Sequence, residues 1–176
     1  MLKPYNYTFI TTAKDSGYYT FLTKSNIEYR VAFYADYTLE QCVEEGVKLG
    51  NVFQISISKT IHGVSPLDAS IAETIKNIIA VFFANKEDAL IYICDDSDSK
   101  GLQRFNTFDR WYKSSSMTGY VTKLNNVIKF DEDDESGITT IHTSLMFHNN
   151  NTNIDNIRIA YDNLENVING DKPDTE

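Results

Sequence analysis

Residues 89–94, Ala-Leu-Ile-Tyr-Ile-Cys, form an unbroken apolar run. A strand with one wet face alternates apolar and polar residues, so a run of this kind reads as a strand covered on both faces. It demands packing elements above and below, and the flanking sequence offers them. Upstream, Ile71, Ile75, Ile78 and Phe82 recur at helical spacing, with Ile79 and Phe83 widening the stripe. Ser65 is placed to cap that helix, Pro66 to take its first position and Asp68 to lie in its positive first turn. Downstream, after the turn Asp95 to Gly101, Leu102, Phe105, Phe108, Trp111 and Tyr112 mark a second helix over about 99–113.

Period-two alternation dominates the N-terminal part. Tyr5–Ile10 and Tyr18–Leu22 read as strands around the turn Asp15-Ser16-Gly17. Ile27, Tyr29, Val31 and Phe33 alternate with Glu28, Arg30, Ala32 and Tyr34, and Phe53, Ile55 and Ile57 alternate with Gln54, Ser56 and Ser58. Between them, Thr38 to Gly50 permits a short helix that Gly46 weakens. Tyr120–Phe130 and Ile138–His148 read as two further strands joined by the acidic tip Asp131 to Glu135. A third helix follows over about 153–168, striped by Ile154, Ile157, Tyr161, Leu164 and Ile168, with Gly170 placed to stop it. The expected fold is α+β: a mixed, largely antiparallel sheet of six to seven strands with three helices. Residues 1–170 are expected to form one domain and 171–176 a flexible tail.

Sixteen Lys and Arg against twenty-five Asp and Glu give a net charge of −9. That balance argues against nucleic-acid and anionic-membrane partners, which need a positive field, and leaves a protein as the expected partner. The first residues carry no apolar run after Lys3, and no stretch approaches the ~20 apolar residues of a membrane span. The expectation is a cytoplasmic protein. Cys42 and Cys94 lie too far apart for a metal motif, and Cys94 reads as a buried thiol acting as a small hydrophobe.

Asp95, Asp96 and Asp98 follow the buried strand at its C-terminal end, where open α/β sheets place ligands. Three carboxylates suit Mg²⁺, but solvation and capping of the following helix explain them more simply. Asp109 is more informative. At ~100° per residue it falls near 340° from Leu102, beside Phe105 at about 300° and inside the apolar arc. A carboxylate there needs a partner. Arg104 borders the arc but lies about 140° from Asp109, so each requires a partner elsewhere, with Arg30 one candidate for Asp109. His62, His142 and His148 are isolated, and no Ser-His-Asp or Cys-His grouping follows from spacing.

The segments Tyr92 to Asp98 and Arg104 to Trp111, with Pro66-Leu67-Asp68, Thr74-Ile75 and Phe82-Phe83, resemble a family of small bacterial proteins known only as a domain of unknown function. That resemblance implies a bacterial origin and brings no activity. The order of elements also resembles the later part of the GNAT (N-acetyltransferase) fold. In that fold a fourth strand feeds a Gly-rich loop whose amides hold the pyrophosphate of acetyl-CoA. The matching loop, Thr60 to Ser65, places His62, Gly63 and Ser65 as the coenzyme candidates. It has one Gly where the family has a Gly-x-Gly/Ala pair, so no cofactor is expected. The resemblance sets Asp96 near the family's Asn after the fifth strand, and Tyr112 near its general-acid Tyr. With no complete catalytic or cofactor motif, the function expected is a non-catalytic or regulatory binding protein on a GNAT-like scaffold. The alternatives are a divergent acyl-CoA-dependent N-acyltransferase using acetyl-CoA, and a Mg²⁺-dependent enzyme using the Asp cluster.

Overall fold

Alternation, helical stripe and apolar run assemble, in a computed structural model, as one seven-stranded sheet with three α-helices. The structure describes residues 2–12, 16–60, 68–95, 97–129 and 140–170. The candidates His62, Gly63, Ser65 and Asp96, the acidic tip 131–135, the tail 171–176 and part of the turn at 15–17 lie outside them.

The strands are β1 (Tyr7–Thr11), β2 (Gly17–Leu22), β3 (Glu28–Ala35), β4 (Asn51–Lys59), β5 (Asp88–Asp95), β6 (Val121–Lys129) and β7 (Thr140–His148). Their order in the sheet is β1-β2-β3-β4-β5-β7-β6. Every neighbouring pair is antiparallel except β4 and β5, which are joined through helix α1 (Ala69–Phe82) and run parallel. The sheet is therefore mixed and largely antiparallel. Helix α2 (Gly101–Lys113) follows β5, and helix α3 (Ile154–Ile168) follows β7.

Strand β5 is covered on both faces. Leu90, Tyr92 and Cys94 join a core with Ile75 and Ile78 of α1 and with Phe83, which caps that helix, and Phe105, Phe108 and Trp111 of α2 pack against it. Ala89 and Ile91 join the opposite core with Ile157, Tyr161 and Leu164 of α3 and with Leu39 and Cys42. The ambiguous stretch after β3 resolves as a 3₁₀ turn, Thr38–Cys42, packed against α3. Asn163 of α3 donates to the Cys42 carbonyl (3.1 Å) at the end of the turn, where Val43 turns extended.

Three local expectations need correction. Helix α1 is capped by Asp68, not Ser65. Asp68 holds extended dihedrals that end the helix there, and its Oδ1 accepts from the Ser70 amide at 3.0 Å. Leu102 does not belong to the buried arc of α2. It lies in the first turn and is 50% exposed. Arg30 is not the partner of Asp109. Its neighbours Tyr29 and Val31 face the core under α1 and α2, so Arg30 points to the other face, where it pairs with Glu28 (3.0 Å) and lies over the Tyr18 ring.

Candidate functional site

The parallel ladder between β4 and β5 is short. It runs from Asn51 opposite Asp88 to Gln54 opposite Ile91 and ends there. Both strands continue: β4 stays paired with β3 as far as Lys59, and β5 stays paired with β7 as far as Asp95. Each strand keeps its outer neighbour and loses its inner one, so the sheet splits along its middle. The split opens a cleft of about 760 Å³, roofed by α2.

Its walls are Gln54–Ile57 of β4 and Tyr92–Asp95 of β5, with Gln103, Arg104, Thr107, Phe108 and Trp111 from α2. Strand parity sorts them. Ile55, Ile57, Tyr92 and Cys94 face the α2 side with the aromatics, while Gln54, Ser56 and Asp95 alternate with them. The cleft is thus apolar beneath α2 and more polar at its other wall, where Ile93 joins Gln54, Ser56 and Asp95. Across the gap, the inner backbone edges of Ile55–Ile57 and Tyr92–Cys94 have no facing strand among the described residues. Unpaired amides and carbonyls inside a cleft must be met by water or by a ligand that offers the same groups.

The mouth is organised by the segment that carried the Asp cluster. Arg104 forks between Asp98 (2.7 and 3.0 Å) and the Asp95 carbonyl (2.8 Å). Asp98 also accepts from the Lys100 amide (3.1 Å), and Asp95 accepts from the amide and hydroxyl of Ser97. The Ser97 hydroxyl holds the Asp95 carboxyl below its ordinary range, and Arg104 does the same for Asp98. These carboxylates order the turn and fix Arg104. Among the described residues, no three acidic, His or Cys side chains are grouped as metal ligands require.

Asp109 sits on the same helix but behind the cleft. It meets Lys113 (2.6 Å), Lys123 of β6 (3.0 Å) and Asn125 (3.5 Å). Lys113, Lys123 and Asn125 together pull its carboxyl down to about 2, against the opposing effect of burial. The Lys123 side chain is only 2% exposed, and its ammonium lies over the rings of Phe105 and Tyr92. Burial lowers the pKa of Lys123 more than Asp109 raises it. Sequence geometry placed Asp109 in a paired, shielded position. It could not supply Lys123, because the partner is a strand residue on another element. The Tyr92 ring stacks on Phe108, and its hydroxyl is buried without a well-formed hydrogen bond among the described residues. Burial pushes its phenol up, although cross-strand Ser144 lies close enough to act in the opposite sense.

Tyr112 is not part of the cleft wall. Its hydroxyl donates to the Val121 carbonyl (2.7 Å), tying α2 to the start of β6. The strand register also creates a pairing that spacing did not show: Cys94 stands directly opposite His142, so both project to the α2 face. Burial raises the Cys94 thiol, with Arg104 and Lys123 opposing. The His142 ring lies against Phe105, and its Nδ1 is buried without a hydrogen-bond partner among the described residues.

Fold and site define an α+β protein with a ligand-sized cleft between two splayed parallel strands. A family model matches residues 67–163, more than half of the chain, which belongs to a family of unknown function, DUF6169. The matched span carries α1, the β5 wall, all of α2 and the Lys123–Asp109 pair, while the β4 wall lies outside it. No curated protein and no solved structure matches the chain.

Proposed function

We propose that the protein is a binding protein on a GNAT-like scaffold, and that its ligand is an acyl-pantetheine thioester lying extended between β4 and β5. The observation that carries this reading is the early end of the β4–β5 ladder while both strands run on. An extended arm with amide groups spaced along it can meet the exposed strand edges as a short additional strand does. Its acyl end would lie among Ile55, Ile57, Tyr92, Phe108 and Trp111. Strand order and the single parallel pair support the GNAT-like arrangement expected from the order of elements.

The pyrophosphate end of a coenzyme has less to hold it, because the loop before α1 has one Gly where the resembling family has two. Acetyl-CoA is therefore bound mainly through its pantetheine arm. Thermal-shift titration tests this, since a ligand that binds only the native state raises the melting temperature. Acetyl-CoA and acetyl-pantetheine should both raise it, with similar midpoints, and 3′,5′-ADP should not. If 3′,5′-ADP stabilises and acetyl-pantetheine does not, the pantetheine reading is wrong.

A further inference from the structure

We propose that the acyl group preferred by the cleft is an uncharged aliphatic chain of several carbons, longer than acetyl, and that Ile55 and Ile57 of β4 select it. The proposal rests on the cleft binding a pantetheine thioester and names the acyl class that such a site prefers. The cleft holds about 760 Å³, in the upper part of the ~300–1,000 Å³ range of small-molecule sites, so space does not restrict the acyl group to acetyl. The chemistry of the walls then decides what fills it.

Ile55, Ile57, Phe108 and Trp111 line the cleft and are only partly buried by the core they pack against. Apolar surface open to a cleft gains when an apolar group covers it. Ile55 and Ile57 lie two residues apart on one face of β4, so they stand about 7 Å apart along the strand. An acetyl methyl can cover one of them, whereas a chain of several carbons covers both. The aromatic side of the cleft is already paired within itself. Tyr92 stacks on Phe108, with centroids 4.6 Å apart and planes at 28°, and Trp111 meets Phe108 edge-on at 5.4 Å and 72°. A flexible chain between these rings and the isoleucines suits that slot better than another ring.

Charge points the same way. The charged residues of the cleft wall are Asp95 and Arg104, and both are engaged at the mouth. Arg104 is held by Asp98 and by the Asp95 carbonyl, and the Asp95 carboxylate accepts from Ser97. Lys123, which is not part of the wall, already pairs with Asp109 at 3.0 Å. A carboxylate or ammonium on the acyl group would lose water among isoleucine and aromatic side chains with no free counter-charge among the described residues.

The test is calorimetric titration with acetyl-, butyryl-, hexanoyl-, succinyl- and benzoyl-pantetheine. Affinity should rise about threefold to fourfold for each methylene from acetyl to hexanoyl, the gain expected for burying one such group. Succinyl-pantetheine, a butyryl chain ending in a carboxylate, should bind at least about tenfold more weakly than butyryl-pantetheine. Ile57→Ala should lower hexanoyl affinity more than acetyl affinity, a ratio read within one folded protein, and Ile57→Val should do the same to a smaller extent. Affinity that is flat or falls with chain length overturns the proposal and leaves the pantetheine reading standing. Succinyl binding as tight as butyryl, or benzoyl tighter than hexanoyl, also overturns it. Should no pantetheine thioester bind, the pantetheine reading falls, and N-methylhexanamide alone decides the acyl slot through the methyl resonances of Ile55 and Ile57. Shifts at both methyl sets retain an aliphatic slot, and unchanged resonances remove it.

Discussion

Replacing Asp109 with Ala should cost about 3 kcal/mol, and the structure sets that magnitude from two directions. The carboxyl is held at about 2 in the folded protein, against an ordinary value of 3.8. At ~1.36 kcal/mol for each pH unit, the native fold favours its ionised form by about 2–2.5 kcal/mol. Independently, breaking a buried ion pair costs ~3–5 kcal/mol, because the surviving charge is stranded. The lower end applies here. Lys113 is 72% exposed and well screened, so the stranded charge is that of Lys123, whose side chain is 2% exposed. Burial already pulls the Lys123 ammonium down, so it can shed its proton and limit the loss.

The assay is urea unfolding of wild type and Asp109→Ala at neutral pH, repeated at acid pH. A carboxyl depressed in the folded state contributes stability above its unfolded pKa and loses it as pH falls through its native value. Wild type should therefore lose this contribution between about pH 4 and about pH 2, whereas Asp109→Ala shows no such loss there. The double variant Asp109→Leu with Lys123→Met should recover most of the stability, since a well-packed apolar pair replaces an ionic one at little cost. An Asp109→Ala midpoint equal to wild type would refute the stranded-charge reasoning.

Three further perturbations follow from the same geometry. Asp88 accepts from Asn51 (3.1 Å) and Asn85 (2.9 Å), yet burial raises its carboxyl, so its ionised form burdens the fold at neutral pH. Asp88→Asn should then melt at or above the wild-type temperature at pH 7 and lose that advantage as pH falls; a clear drop at pH 7 would contradict it. Tyr112→Phe removes the bond to the Val121 carbonyl and should cost about 1 kcal/mol in urea melts while leaving acetyl-CoA binding unchanged; weakened binding would return Tyr112 to the site. Asp95→Asn with Asp98→Asn should melt within about 1 kcal/mol of wild type, because the Arg104–Asp98 pair is exposed, and Mg²⁺ should shift neither protein. A Mg²⁺-dependent rise in wild type, absent from the variant, would restore the metal reading.

The sequence made the layering legible because its signals are local. The apolar run at 89–94 is a strand between two cores, and the stripes of α1 and α3 face the sheet as their spacing requires. Asp109 was legible because a carboxylate inside an apolar arc must be paired. What escaped depends on register between distant strands. The end of the β4–β5 ladder at Gln54 leaves no mark on the alternation of either strand, so the cleft is invisible until the strands are placed together. Cys94 and His142 are likewise separated by α2 and β6 in sequence and meet only through the β5–β7 register. Leu102 misled because helical spacing does not reveal whether the first turn of a helix is covered, and Leu102 is 50% exposed.

The cleft itself is tested most directly by amide chemical shifts in the ¹⁵N-labelled protein titrated with acetyl-pantetheine. The largest changes are expected at the facing edges, Ile55–Ile57 and Tyr92–Cys94, with smaller ones at Arg104 and Thr107 of α2 and none along α3. Shifts that leave both strand edges untouched, or that gather on the α3 face, would contradict a ligand lying between β4 and β5.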